Sequence, residues 1–410
     1  MIKRGGYGRK LGFRLGLWPK LPPKKKGTQR IWIQAVSVGE LSSIEKLLDS
    51  LLSDPGIEIV LSGTTSTGLK IAEEKHGERV LAQGPFPLDW LPFSRLAWSR
   101  IRPDLAIAVD SELWPEHMHQ AENHGVPFLI VNARLSDRSY RRLQFFRILH
   151  GILLPRKMVV LASSEKQHDR WLSLGLDSGQ VKVTGNLKVD SVSRAPPTKE
   201  SKQSLKAEFG FSEKSFVLVG ISTWPGEEET LLESINELRK ENLDARLLLI
   251  PRHAERREEV RKRILASGLP FNLRSETQRA EVDTIVYLAD TTGELTQLIG
   301  AGDLAFLGKT LPPNNGGQNP IEPVSIGLPL VVGPAYQNFR ESCAELFSHG
   351  AAFKAEEKKK AKELICEFAR DGQKNAEARD ACFIWMRKQG SPSETTLKIL
   401  HKFLEQKGAS

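Results

Sequence analysis

Residues 32–52 read WIQAVSVGELSSIEKLLDSLL. The apolar run from Trp32 to Val36 has the character of a buried strand and stops at Ser37-Val38-Gly39. Beyond it, Leu41, Ile44, Leu47, Leu48, Leu51 and Leu52 recur at three- and four-residue steps, the period of an amphipathic helix. A strand that turns sharply into a helix is half of a βαβ unit, so this stretch alone predicts a parallel sheet flanked by helices. It also leaves Glu40 at the turn. In open α/β sheets ligands bind in the crevice at the carboxyl ends of the strands. An acid at that address is either a ligand-facing group or a partner for the dipole of the helix it opens.

The same alternation repeats along the chain. Between 30 and 190 the β-type runs are IWIQAV, IEIVLSG, LAIAVD, PFLIVNA, MVVLASS and VKVTGN, and from 216 they are FVLVGIS, ARLLLIP, TIVYLAD, LAFLG and PLVVG. Two doubly wound α/β domains are expected. SRAPPTKESKQSLK (193–206) is polar, carries Pro196-Pro197 and breaks the pattern, so it reads as the linker. The expected organisation is therefore a basic arm over 1–26, a first domain over 27–192, a second over 207–391, and a last helix over 392–410 that packs back on the first domain.

A length of 410 residues suits two or three cores. With 40% hydrophobic residues and a mean hydropathy of -0.33, the composition is that of a water-soluble globular chain. No apolar run reaches membrane-spanning length and no signal peptide opens the sequence. Cys343, Cys366 and Cys382 form neither a CxxC pair nor a disulfide framework, which fits a reducing compartment. The net charge of +9 is concentrated at the start: residues 1–26 hold nine Lys and Arg and no acid. Leu11, Phe13, Leu15, Leu17 and Trp18 are interleaved with those cations. That mixture suits an anionic membrane surface, although a nucleic-acid arm or a solvated terminus has a similar charge.

Two apparent motifs are decoys. GKT at 308–310 is not a phosphate loop, because five residues instead of four separate Gly302 from Gly308 and the intervening DLAFL is an apolar strand. His117, His119 and His124 lack metal-site spacing and read as a solvated helix face. More informative is 104–142. Glu112 follows a strand and precedes Trp114-Pro115, a proline suited to the first turn of a helix. Asn132, Arg134, Arg138, Arg141 and Arg142 follow the next strand and suit either an anionic ligand or a charged surface helix. In the second half, Ser222-Thr223, Arg252, Gly293-Glu294, and Gly316, Gly317, Asn319 and Glu322 stand at strand ends or helix starts. Four such loops in series predict an anion-binding crevice.

The ordered motifs WIQAVSVGE, LSGTTSTG, VDSELWP, NARLSDRS, VTGNLKVD, STWPGEEE, PRHAERR, DTTGEL and GGQNPIEP resemble the lipid A Kdo transferases of Gram-negative bacteria over about residues 10–345. These are glycosyltransferases of the two-Rossmann GT-B architecture, in which two domains face each other across a cleft. The family moves 3-deoxy-D-manno-oct-2-ulosonic acid (Kdo) from CMP-Kdo to a lipid A precursor at the cytoplasmic face of the inner membrane. The resemblance implies that Glu40 is the catalytic base, with Glu112 assisting. It places Ser37, Gly39, Asn132, Arg134 and Arg138 on the acceptor side. Asn186, Lys188, Ser222, Thr223, Arg252, Gly293, Glu294, Gly316, Gly317, Asn319 and Glu322 fall on the donor side. Where this chain has Trp224 and Gln318 the family has histidine. Many members begin with a membrane-anchoring helix, and this sequence opens at a stretch resembling the segment after it.

These implications make chemical sense. CMP is a stable leaving group, whereas the acceptor hydroxyl must lose a proton as it attacks, so one carboxylate base suffices for an inverting displacement. One phosphodiester can be satisfied by helix N-termini and Arg252, so neither cofactor nor obligatory metal is expected. The expected partners are CMP-Kdo, the lipid A precursor and an anionic membrane surface, not nucleic acid. Two other readings remain: a GT-B nucleotide-sugar epimerase, and a non-catalytic nucleotide-sugar or glycolipid binder.

Overall fold

The computed structural model describes residues 8–35, 37–146, 154–155, 157–192 and 195–408. The chain forms two compact units, one comprising 1–191 with 389–410 and the other 192–388.

The sheet of the first unit has seven strands in the order β3-β2-β1-β4-β5-β6-β7, all parallel. They are β1 (Gln29–Gln34), β2 (Ile57–Gly63), β3 (Ala82–Pro85), β4 (Leu105–Val109), β5 (Phe128–Ala133), β6 (Met158–Ala162) and β7 (Val181–Val183). The central strands are buried throughout because helices cover both faces. Along β1, Ile31 and Ile33 point into one core with Leu47, Leu48 and Leu51, while Trp32 points into the other with Phe86 and Trp98. The helices α1 (Val38–Ser43) and α2 (Glu45–Leu52) meet at Ile44, so the single predicted amphipathic helix is broken into two.

The first and the last described segments both belong to this unit. The helix Pro392–Gly408 lays Leu400 and Leu404 into the core beside α2, as expected of it. The basic segment is not a free arm from Gly8 onward. Trp18 is 0% exposed and lies against Phe13 and Trp32 at centroid distances of 4.9 and 6.3 Å. Its carbonyl accepts from Arg100 Nη1 (2.5 Å), the Phe86 carbonyl accepts from Arg14 Nη1 (2.6 Å), and the Pro22 carbonyl accepts from the buried Arg30 (2.8 Å). Lys24 and Lys10 pair with Asp104 and Glu73. The apolar residues that read as lipid-facing thus divide: Trp18 closes the core with Phe13 packed against it, whereas Leu11, Leu15 and Leu17 remain outside it.

The second sheet runs β10-β11-β9-β8-β12-β13-β14, again parallel. Its strands are β8 (Phe216–Thr223), β9 (Ala245–Pro251), β10 (Phe271–Leu273), β11 (Val286–Leu288), β12 (Leu304–Leu307), β13 (Leu330–Val332) and β14 (Ala352–Lys354). Much of the predicted linker belongs to this unit. Thr198 caps a helix over Lys199–Glu208, and Lys202 binds Asp303 (2.6 Å) while Lys206 donates to the Ser215 carbonyl (2.7 Å). Lysines that read as solvated linker are thus anchors. The solvated-face reading of the histidines also fails at His117. It is 1% exposed, accepts from Trp98 Nε1 (3.2 Å), and burial pushes its pKa down to about 3.

Candidate active site

In the first sheet the chain order reverses between β1 and β4, the position where the loops on either side part and leave a crevice. Glu40 follows β1 and Glu112 follows β4. Ser37 caps α1 by accepting from the Glu40 N–H (3.3 Å), and its hydroxyl donates to Glu40 Oε1 at 3.1 Å. That hydroxyl fixes the orientation of the carboxylate. Burial, with the nearby charges of Glu40 and Asp110 adding to it, pushes the Glu112 pKa up to about 7. A carboxyl group of raised proton affinity beside a second carboxylate is the raw material for acid–base chemistry.

Around them stands a network that the sequence reading divided differently. Asp110, in the left-handed region at φ 62°, accepts from Asn132 Nδ2 on Oδ1 (2.6 Å) and from Arg134 Nη2 and Nε on Oδ2 (2.7 and 3.2 Å). Asn132 Oδ1 in turn accepts from the Leu187 N–H (3.0 Å). Asn132 is 0% exposed, so it is a fixture that joins two loops and not an acceptor contact. Arg134 is largely committed to Asp110, leaving the exposed Arg138, Arg141 and Arg142 of the following helix (Asp137–Phe145) as the cations presented outward. Gly39 is exposed in the first turn of α1. Asp110 was missed as the hub, although its place at the end of LAIAVD is the same signal that singled out Glu40.

Asn186 and Lys188, expected on the donor side, lie in the first unit. Asn186 Oδ1 accepts from the Lys188 N–H (3.1 Å), and the Lys188 ammonium lies near Arg134, Asp110 and Glu40. Burial, helped by Arg134, lowers its pKa against the pull of the two acids. An amine in that setting gives up its proton more readily than a surface lysine.

In the second unit the order reverses between β8 and β12. Gly308, just past β12, permits the close approach of these strand ends, since a Cβ there would lie 2.1 Å from the Ser222 carbonyl oxygen. Ser222 has φ 51°. Thr223 is fully buried, so it contributes its carbonyl, which accepts from the Arg252 N–H (3.2 Å), and not its hydroxyl to the surface. The buried Glu227 accepts four backbone N–H bonds, from Trp224, Lys309, Thr310 and Leu311, at 2.8–3.0 Å. It ties the β8 and β12 loops together. Gly316 and Gly317, at φ 109° and 74°, turn the next loop, and Asn319 Oδ1 caps the Ile321 N–H (3.2 Å). Arg252 is exposed, and Glu322 accepts from the Thr296 hydroxyl. Gly293 adopts φ 87°. Glu294 does not present itself to a ligand: Arg274 binds both its oxygens (2.7 and 3.0 Å) and Thr291 donates to one of them.

Residues 9–191 match the 3-deoxy-D-manno-octulosonic-acid transferase (kdotransferase) family. The 3-deoxy-D-manno-octulosonic acid transferase of Haemophilus influenzae is 31% identical over 344 residues, 83% of this chain and 78% of that protein. The enzyme of the same name from Bordetella pertussis is 28% identical over 383 residues, 91% of this chain and 87% of its own length. The UDP-GlcNAc 2-epimerase of Neisseria meningitidis, solved with UDP-GlcNAc, is similar in fold with a TM-score of 0.59. It is 15% identical, and the match covers 92% of this chain and 100% of that one.

Proposed function

Because the chain belongs to the 3-deoxy-D-manno-octulosonic-acid transferase family, it is a glycosyltransferase of Kdo, and we propose that it takes Kdo from CMP-Kdo and delivers it to a hydroxyl of a lipid A precursor with inversion. The observation that carries the chemistry is the pair of carboxyl groups at the reversal of the first sheet. Glu40, held by the Ser37 hydroxyl, is the base that removes the proton of the attacking hydroxyl. Glu112, its pKa raised by burial to about 7, keeps a protonated fraction near neutral pH, and that neutral form donates a hydrogen bond at the same site. Asp110, Asn132 and Arg134 hold the loops that carry this pair. The reaction so drawn uses side chains and backbone amides, with no metal.

Charge and exposure support a membrane-bound acceptor. Trp90 is 64% exposed, Leu91 52% and Leu17 47%, and the Leu88 N–H donates to the Arg14 carbonyl (2.9 Å), so these apolar residues belong to neighbouring segments. Lys20, Lys25 and Lys26 are exposed in the same N-terminal stretch. Apolar side chains beside unpaired cations suit the surface of an anionic leaflet, where a glycolipid would be met. No helix among the described residues is long and apolar enough to cross a membrane. The proposed location is the cytoplasmic face of the inner membrane. The test is mass spectrometry of tetra-acylated lipid A precursor after incubation with protein and CMP-Kdo. A gain of one or more Kdo residues supports the reading, and an unchanged precursor refutes it.

A further inference from the structure

Trp224 and Lys309 stand at the carboxyl ends of β8 and β12, the two strands between which the second sheet reverses. The Lys309 ammonium lies 4.5 Å from the centroid of the Trp224 ring, and the His253 ring lies 5.4 Å from that indole, centroid to centroid, in a T-shaped arrangement. A cation over an aromatic face is attracted by the ring quadrupole, so the indole restrains the ammonium without neutralising it. The backbone is fixed as tightly. Lys309 has φ 62°, a conformation that a lysine adopts only at a cost. It is held there because its N–H donates to Glu227 Oε2 (2.9 Å) and its carbonyl accepts from the Gly317 N–H (3.0 Å).

The acids of this region are engaged elsewhere. Glu227 is used by four backbone N–H groups, and Glu228 by Arg256 at 2.8 Å. Among the described residues no carboxylate forms an ion pair with Lys309 or with Arg252. The edge of the second sheet therefore presents a half-buried, positioned cation at the address where α/β sheets bind ligands. We propose that Lys309, restrained across the indole of Trp224, is a specificity residue that pairs with the phosphate of the nucleotide donor. This rests on the reading that the second unit binds a CMP donor. Lysine suits that task as a point charge, and a charge-assisted bond to phosphate is among the stronger contacts available to it.

Glycine is the informative replacement. It removes the cation and is at home at this φ, so Lys309→Gly removes a binding group while relieving a backbone constraint. Isothermal titration of the full-length protein with CMP should give a Kd raised about tenfold in Lys309→Gly, with a shallower salt dependence. Its thermal midpoint should be equal to or above that of the wild type. Lys309→Arg, which keeps the cation, should bind CMP within about threefold of wild type. Equal CMP affinity of wild type and Lys309→Gly, or a Lys309→Arg variant as weak as Lys309→Gly, overturns the proposal. A wild-type protein that does not bind CMP overturns the donor reading itself.

Discussion

Replacing Glu112 by glutamine should change stability in a way that depends on pH. The rise in its proton affinity from an ordinary value of 4.5 to about 7 means that the folded state binds this proton more tightly than the unfolded state does. The resulting stability is fully present below pH 4.5 and is lost as the pH rises through about 7. At about 1.4 kcal/mol per tenfold change in proton affinity, the ceiling is about 3 kcal/mol. Since the carboxyl keeps some contact with solvent, the expected effect is about 1–2 kcal/mol. Glutamine mimics the neutral acid. Glu112→Gln should therefore match the wild type near pH 5 and exceed it by about 1–2 kcal/mol at pH 8. Denaturant titration followed by tryptophan fluorescence is the assay, because Trp18, Trp32, Trp90, Trp98, Trp114 and Trp171 all lie in the first unit. Adding Glu40→Gln should shrink the difference without abolishing it, since burial is the larger cause and the Glu40 charge the smaller. A stability difference that is the same at pH 5 and pH 8 would refute the reasoning. It would mean that Glu112 is ionised in the folded protein and that its role as a neutral donor is wrong.

Other expectations follow from the same geometry. Glu40→Gln should lower turnover by a factor of roughly 10²–10⁴ while leaving the Kd for CMP nearly unchanged; wild-type turnover in a stopped assay would return Glu40 to a helix-capping role. Trp18→Ala should cost about 3–5 kcal/mol of first-unit stability, because a fully buried indole leaves a cavity, and a loss below about 1 kcal/mol in denaturant melts would mean the segment is peripheral. Flotation with vesicles containing anionic lipid should be reduced by Trp90→Glu with Leu91→Glu and by neutralising Lys20, Lys25 and Lys26, the latter only at low salt. Unaltered flotation of both variants would move the membrane contact elsewhere.

The sequence made the two parallel sheets legible because their central strands are long and apolar, as in LAIAVD and FVLVGIS. The strands it did not disclose, β3, β10 and β14, are three or four residues long and sit at sheet edges, where little burial is needed to hold them. Glu40 and Glu112 were legible as acids at strand ends, but the proton affinity of Glu112 was not, since it depends on burial and on charges contributed by other loops. Asn132, Arg134 and Glu294 carried the right chemistry for ligand contacts. They are consumed by Asp110 and Arg274, partners 20 or more positions away, and a linear reading has no access to such pairings. Trp18 looked lipid-facing among cations for the same reason: its apolar neighbours, Trp32 and Phe86, belong to β1 and to the residue after β3.

The packing of residues 392–408 against α2 has a consequence for synthesis. During translation the face formed by Leu47, Leu48 and Leu51 emerges early, yet the Leu400 and Leu404 side chains that cover it are made about 350 residues later. At about 5–20 residues per second that interval is roughly 20–70 s, long on the timescale of folding. Through that time the part of this core that Leu400 and Leu404 close stays open to water. Premature termination anywhere in the second unit would leave a polypeptide that cannot close its first core.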